Sequence, residues 1–290
     1  MRLGIVTPVV TRLPRAHSRW EVDAGIKEIA RIATEAERLG YDHLTCSEHI
    51  AVPNSVVATR GATYWDPLAT LGFIAGCTRT IRLATFVLVL GYHHPLEIVK
   101  RYGTLDAISE GRVILGVGVG SLAEEFELLG ASFSDRGKRA DDALRALRAS
   151  WGKSVPEYHG EYFDYSDMTI DPVATSTTAP IWIGGQSARS LARAVEFGEA
   201  WAPFGLKPNE VSQLLAAAES SASWSQRTKP LEVFLQPTPP LDPVGDPEAT
   251  RRTLNEWIAG GATGLTLRFV HHSLDHYCEQ LEALPTLLTR

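Results

Sequence analysis

Three short segments carry residues that could do chemistry. The first is Gly111 to Gly120, GRVILGVGVG, an apolar strand-like run that opens into glycine at every second position, Gly116, Gly118 and Gly120. Backbone without Cβ atoms can lie directly against a flat or anionic ligand and present its N–H groups to it. The glycines alternate, and no G-x-G-x-x-G runs into a helix, which argues against a Rossmann dinucleotide site. A barrel strand that kinks as it leaves the sheet is the alternative reading of the same glycines. The second segment is PIWIGGQSARSLARA, a strand ending in Gly184 and Gly185, followed by Gln186 and Ser187 at the head of a helix. Free amides and the helix dipole there favour an anion such as a phosphate, although Ser187 could equally be no more than an N-cap.

The third segment is Ser47-Glu48-His49, an adjacent acid and imidazole at a strand end. An imidazole there can take or give a proton near neutral pH, and Glu48 beside it is expected to orient and tune it. A loop histidine bonded to backbone is the plain alternative. His93 with His94 and His271 with His272 are read as surface or lining pairs, because neighbours point apart and do not share a metal. No strand ends on a lysine, which weighs against Schiff-base chemistry. Carboxylates do not recur on successive strand ends, so no divalent metal site is expected.

These segments need a scaffold that brings strand ends together. Short apolar runs occur at Leu3 to Pro8, His43 to Ser47, Arg82 to Val89, Arg112 to Val117, Ile181 to Gly184, Ala200 to Pro203, Leu231 to Gln236 and Gly264 to Phe269. Amphipathic helical patterns follow them, at Val22 to Leu39, Asp66 to Cys77, Leu96 to Ile108, Ala140 to Trp151, Ala188 to Phe197, Asn209 to Ser220, Glu248 to Ala259 and Leu274 to Leu288. Strand followed by helix eight times over predicts one α/β domain across residues 1–290, a (β/α)8 TIM barrel whose ligands sit over the C-terminal strand ends. Residues 152–180 lack a helical period and read as an inserted hairpin and connector, placed in the fourth βα loop region. Ala51 to Trp65 is a second long loop, and both are expected near the active face. Tyr64 and Trp65, Tyr158 to Tyr165, and Trp201 with Phe204 are candidates for an apolar substrate pocket or for plain core.

With 44% hydrophobic and 21% charged residues in 290, the chain can bury a large core. A net charge of −6 with scattered acids offers no basic footprint, so nucleic acid is not an expected partner. Cys46, Cys77 and Cys278 show no CxxC spacing, and the N-terminal residues do not read as a secretory leader; reduced thiols in the cytoplasm are the expectation. No apolar run reaches the roughly 18 residues of a membrane helix.

Taken together, LGYDHLTCSEH, WDPLATLGFIAGCTRTIRLAT, HPLEIVKRYGTLDAISEGRVILGVGVGSLAEEFELLG and APIWIGGQSARSLARAVEFGEAWAP resemble the luciferase-like monooxygenase superfamily, and within it the F420-dependent oxidoreductases. The resemblance spans roughly residues 1 to 205. It implies a (β/α)8 barrel with a deazaflavin or flavin laid over its mouth. Ser47, Glu48 and His49 would flank the ring, and Thr85, Phe86 and Val87 would back it, where such enzymes often keep a non-prolyl cis peptide. Gly118, Val119 and Gly120 would line the ribityl chain, and Ile183, Gly184, Gly185, Gln186 and Ser187 would hold the phosphate. The implied reaction is hydride transfer between coenzyme F420 and a small organic substrate, with His49 as proton partner. The alternative is an FMN-dependent monooxygenase served by a flavin reductase, and a rival of another class is a cofactor-binding barrel without turnover. Relatives are commonly homodimers. Ser121 stands where sugar-phosphate dehydrogenases of the branch carry a catalytic Glu, so a sugar phosphate is not the expected substrate.

Overall fold

The computed structural model describes residues 1–14 and 16–288. Eight parallel strands close on themselves: β1 (Arg2–Val6), β2 (His43–Cys46), β3 (Arg82–Thr85), β4 (Val113–Gly118), β5 (Ile181–Gly184), β6 (Ala200–Ala202), β7 (Glu232–Leu235) and β8 (Gly264–Leu267). Closure is complete because β4 pairs with β5, and β8 pairs with β1 through Arg2 opposite Gly264. The expected (β/α)8 barrel is thus the observed architecture. Helices α1 (Ile26–Arg38), α2 (Pro67–Cys77), α3 (Pro95–Ile108), α4 (Arg136–Ser150), α5 (Ala188–Phe197), α6 (Pro208–Glu219), α7 (Pro247–Ala259) and α8 (Leu274–Leu288) follow the strands in turn. Four of them, α2, α3, α6 and α7, start on proline, whose fixed φ and missing N–H suit the first helical position.

Alternation along the strands divides the core in two. One set of side chains faces the helices. The other fills the barrel, where Ala84, Ile114, Trp182, Ala200, Ala202 and Phe234 pack as one cluster. Trp182 stacks on Phe234 with centroids 3.9 Å apart, and the His43 ring stands edge-on to both. His43 reaches Thr266 Oγ1 across the interior at 3.0 Å, and it lies against Gly4, where a Cβ would come within 2.1 Å of the ring. The barrel is therefore plugged from below, and open space remains at the strand tips.

Two departures from the sequence reading concern loops. The inserted hairpin, Tyr158–His159 against Asp164–Tyr165, follows α4 and precedes β5, so it belongs to an αβ connection and not to the fourth βα loop. Its tip nevertheless climbs α4 to the active face: Asp142 accepts from Tyr158 and from the amides of Tyr162 and Phe163, and Arg139 lies over the Tyr162 ring. The true fourth βα loop holds a helix that periodicity missed, Ala123–Leu128, too short to show a repeat. Residues 51–65 fold over the mouth as expected and are pinned by a two-residue ladder of Thr63–Tyr64 against Thr11–Arg12.

Candidate active site

At the strand tips lies a cavity of about 1260 Å³, running from the end of β8 across the mouth to the start of α5. Predicted residues Ser47, Glu48, His49, Phe86, Val87, Gly118, Val119, Gly120, Gly184, Gly185, Gln186 and Ser187 all line it. Thr85 and Ile183 do not. Both are buried in the barrel wall, Thr85 donating its hydroxyl to the Gly116 carbonyl at 2.7 Å. Of the aromatic candidates, Tyr64, Tyr162 and Phe204 reach the cavity, whereas Trp65 packs against the core and Trp201 is buried beneath the β5 loop.

The wall after β3 is made by a continuation of the chain beside β4 that glycines permit. The Phe86–Val87 peptide is cis, as the family resemblance implies, and Leu88–Val89 then runs parallel to the tip of β4. Val87 fits between two strand tips: a Cβ on Gly118 would come within 2.7 Å of one of its methyls, and a Cβ on Gly184 within 2.7 Å of the other. At Gly116 a Cβ would fall 1.9 Å from the Thr85 carbonyl oxygen, and at Gly120 it would meet Phe126 and Val89. The alternating glycines thus admit protein neighbours on their Cβ side. Gly118 and Gly120 also border the cavity, whereas Gly116 is enclosed in the wall.

Glu48 holds this wall. Its carboxylate accepts from the Val89 amide at 2.7 Å and from His93 Nε2 at 2.7 Å, while Ser47 Oγ donates to the Phe86 carbonyl at 2.7 Å. The expectation that Glu48 orients His49 is therefore corrected. Adjacent side chains diverge at the strand end, and Glu48 turns inward to strand and His93. Burial pulls the His93 pKa down, but the bond and charge of Glu48 outweigh it and the net direction is up.

The carboxylate that orients His49 comes from the short helix Ala123–Leu128. Glu125 Oε2 lies 2.8 Å from His49 Nδ1 and accepts the Tyr92 hydroxyl at 2.7 Å, and Oε1 accepts the amides of Ile50 and Ala51. Burial raises the Glu125 pKa, yet its donors Tyr92, His49 and Ala51 outweigh this and hold it below the usual carboxylate value. An ionised carboxylate only accepts, so the His49 proton sits on Nδ1 and Nε2 remains as the acceptor. Nε2 makes no hydrogen bond among the described residues, and the ring stands edge-on to Tyr64 at 4.5 Å. Sequence reasoning overlooked Glu125; its one trace is an acid buried on a helix rim otherwise populated by exposed ones.

We expect Glu125→Gln to fold and bind cofactor normally but to lower turnover about tenfold, because one charge-assisted hydrogen bond worth roughly 1.5–3 kcal/mol supports the protonated ring. Steady-state kinetics beside a cofactor titration check this. The loss is expected in kcat, with KM and cofactor affinity within about twofold of the parent, whereas a purely structural role would weaken all three.

At the far end, Gly185 adopts φ +105° and leads into α5. Trp201 Nε1 donates to the Gly185 carbonyl at 3.1 Å from beneath, and Ser187 caps the Ser190 amide. The first two helix amides, those of Ala188 and Arg189, then have no acceptor inside the helix. Four cationic residues of α4 and α5 border this end. Arg136 donates to the Gly120 carbonyl and lies over Phe133, and Arg193 pairs with Asp141 at 2.5 Å. Lys138 and Arg189 have no ion pair or side-chain hydrogen bond among the described residues. The donor set suits a phosphate continuing into further anionic groups.

Residues 1–284 match the model of the luciferase-like monooxygenase family. The chain belongs to that family. With it comes membership of a superfamily of oxidoreductases and monooxygenases. Among relatives, the uncharacterised protein Rv0940c of Mycobacterium tuberculosis is 28% identical over 216 residues, 70% of this chain and 74% of its own. Among solved structures, monooxygenase RslO1 from Streptomyces bottropensis superposes with a TM-score of 0.81 at 19% identity, over 99% of this chain and 98% of that one. An F420-dependent secondary alcohol dehydrogenase in complex with an F420–acetone adduct gives 0.79 at 14% identity, over 99% and 98%. This luciferase-like protein holds no group of three or more His, Cys, Asp and Glu able to bind a metal, and no helix long and apolar enough to cross a membrane, among the described residues.

Proposed function

We propose that this luciferase-like protein is an F420-dependent oxidoreductase acting on a small organic substrate. The observation that carries the reading is the basic end of the cavity. FMN ends at one phosphate, which the α5 amides and Ser187 can satisfy. Lys138 and Arg189 border the same end, without acid partners among the described residues. F420 continues past its phosphodiester into a chain of carboxylates, and two free cations there suit it.

When bound, F420 supplies a ring that takes up or gives a hydride. The chain's residues handle the proton and the geometry. Gly118, Val119 and Gly120 let an extended chain lie against backbone, and Phe86 and Val87 offer an apolar support for the ring. His49 Nε2 receives the hydroxyl proton when an alcohol is oxidised and returns it when a carbonyl is reduced. Glu125 holds Nδ1–H and stabilises the imidazolium in either direction.

Fluorescence titrations with F420 and FMN test this. F420 is expected to bind roughly tenfold or more tightly, an advantage that the double substitution Lys138→Ala, Arg189→Ala removes while FMN binding stays within about twofold. Tighter binding of FMN in the unaltered protein would overturn the F420 reading in favour of a monooxygenase supplied with reduced flavin.

A further inference from the structure

Across the mouth from β4 lies a cation that neither a cofactor phosphate nor its tail would use. Gly264, Thr266 and Arg268 share one face of β8 and its continuation, by the period of two. Gly264 packs on Phe234 and Thr266 bonds His43 in the barrel interior, so Arg268 is the next inward side chain, at the rim. It borders the cavity, and its own carbonyl is fixed by the Leu241 amide at 2.8 Å. Its guanidinium has no ion pair, hydrogen bond or ring contact among the described residues. The nearby acid, Glu21, is already occupied: it accepts the amides of Val9 at 2.8 Å and Ser18 at 2.6 Å and stands 3.5 Å from His271. Burial depresses the Arg268 pKa, with Tyr64, Glu21 and Tyr277 opposing.

Arg268 is half-buried, and a guanidinium that faces a cavity from the barrel rim with no protein partner is open to pairing by a ligand. Gln236, at the tip of the adjacent strand β7, points to the same interior as Phe234 two residues before it and also makes no side-chain hydrogen bond among the described residues. Tyr64 links the two halves of the mouth, touching the His49 ring and lying within the electrostatic reach of Arg268.

We infer that Arg268, assisted by Gln236, anchors a carboxylate of the substrate, so that the substrate class is a small oxo or hydroxy acid whose reacting carbon lies toward His49. One guanidinium and one amide match a monoanion; a phosphate dianion would call for a second free cation on this side, and of the other cations Arg136, Lys138, Arg189 and Arg193 border the α5 end while Arg60 donates to Ser121 Oγ. The inference rests on the oxidoreductase reading.

Isothermal titration calorimetry of the cofactor-loaded protein tests it, using pyruvate, 2-oxobutanoate and phenylpyruvate, their methyl esters, and inorganic phosphate. At least one acid is expected to bind roughly tenfold or more tightly than its ester, as charge-assisted bidentate pairing implies. Arg268→Gln should abolish that preference, and Arg268→Lys should retain part of it, with cofactor affinity and melting temperature unchanged in both. Equal binding of every acid and ester, a preference that survives Arg268→Gln, or phosphate binding more tightly than every acid would overturn the inference. Cofactor titration is read separately: protein that loads FMN and not F420 loses the proposed function, while the acid-over-ester comparison still decides Arg268.

Discussion

Replacing His49 by alanine is expected to lower turnover by about 10² to 10⁴-fold, the usual worth of a positioned acid–base group. The size follows from the surroundings of the ring. Nδ1 is held by Glu125, itself fixed by Tyr92 and by two backbone amides, so Nε2 is presented in one tautomer and one orientation. Its two neighbours at the strand tip are engaged elsewhere. Glu48 is committed to the Val89 amide and to His93, and Ser47 to the Phe86 carbonyl. Cofactor affinity should stay within about twofold, because the backbone and the α5 end that would hold the coenzyme lie elsewhere. Stopped-flow measurement of hydride transfer, with binding measured separately, distinguishes the outcomes. A variant whose rate stays within about threefold of the parent would remove His49 from proton transfer.

The largest effect on folding is expected at Gly116, a position with no chemistry of its own. A Cβ there would sit 1.9 Å from the Thr85 carbonyl oxygen, and the nearest atoms are all backbone of Thr85 and Phe86, so no side chain can move aside. Gly116→Ala must therefore part β3 from β4, beside the cavity wall. Overpacking of flexible neighbours costs about 1–3 kcal/mol, and a clash with backbone lies at or above the top of that range. The expected result is insoluble protein, or a melting temperature lowered by roughly 5 °C or more. Gly72→Ala is the matched control. Gly72 lies inside α2 with nothing near its missing Cβ, so alanine should be neutral or should stabilise by up to about 1 kcal/mol. If Gly116→Ala melted with the parent protein, the close approach of β3 and β4 would be wrong.

Both predictions draw on features of different legibility. The spacing of apolar runs located all eight barrel strands and their helices, because strand and helix periods are local properties of the chain and each repeat must bury one face. Gly116, Gly118 and Gly120 stood out for the same reason, since only glycine tolerates such close approach. Ser187 was likewise visible as a cap. What those glycines admit is not visible there: Val87 lies in the link between β3 and Leu88–Val89, and the pairing depends on how the chain turns after β3 and runs on beside β4.

The candidate active site shows the same division. Residue type and position at a strand tip single out His49 as the candidate base. Adjacency in sequence points to Glu48 as its partner, yet Glu125 stands 76 residues away on a helix of six residues. By itself the sequence determined that a barrel forms, which strand ends meet at its mouth, and that an imidazole and bare backbone face the same space. Tertiary structure alone decided which carboxylate holds the imidazole, which cations are left without partners, and that the inserted hairpin climbs back to the rim. Periodicity records which face of each element is buried, whereas side-chain pairing at a barrel mouth depends on ring closure and on the course of loops that carry no period.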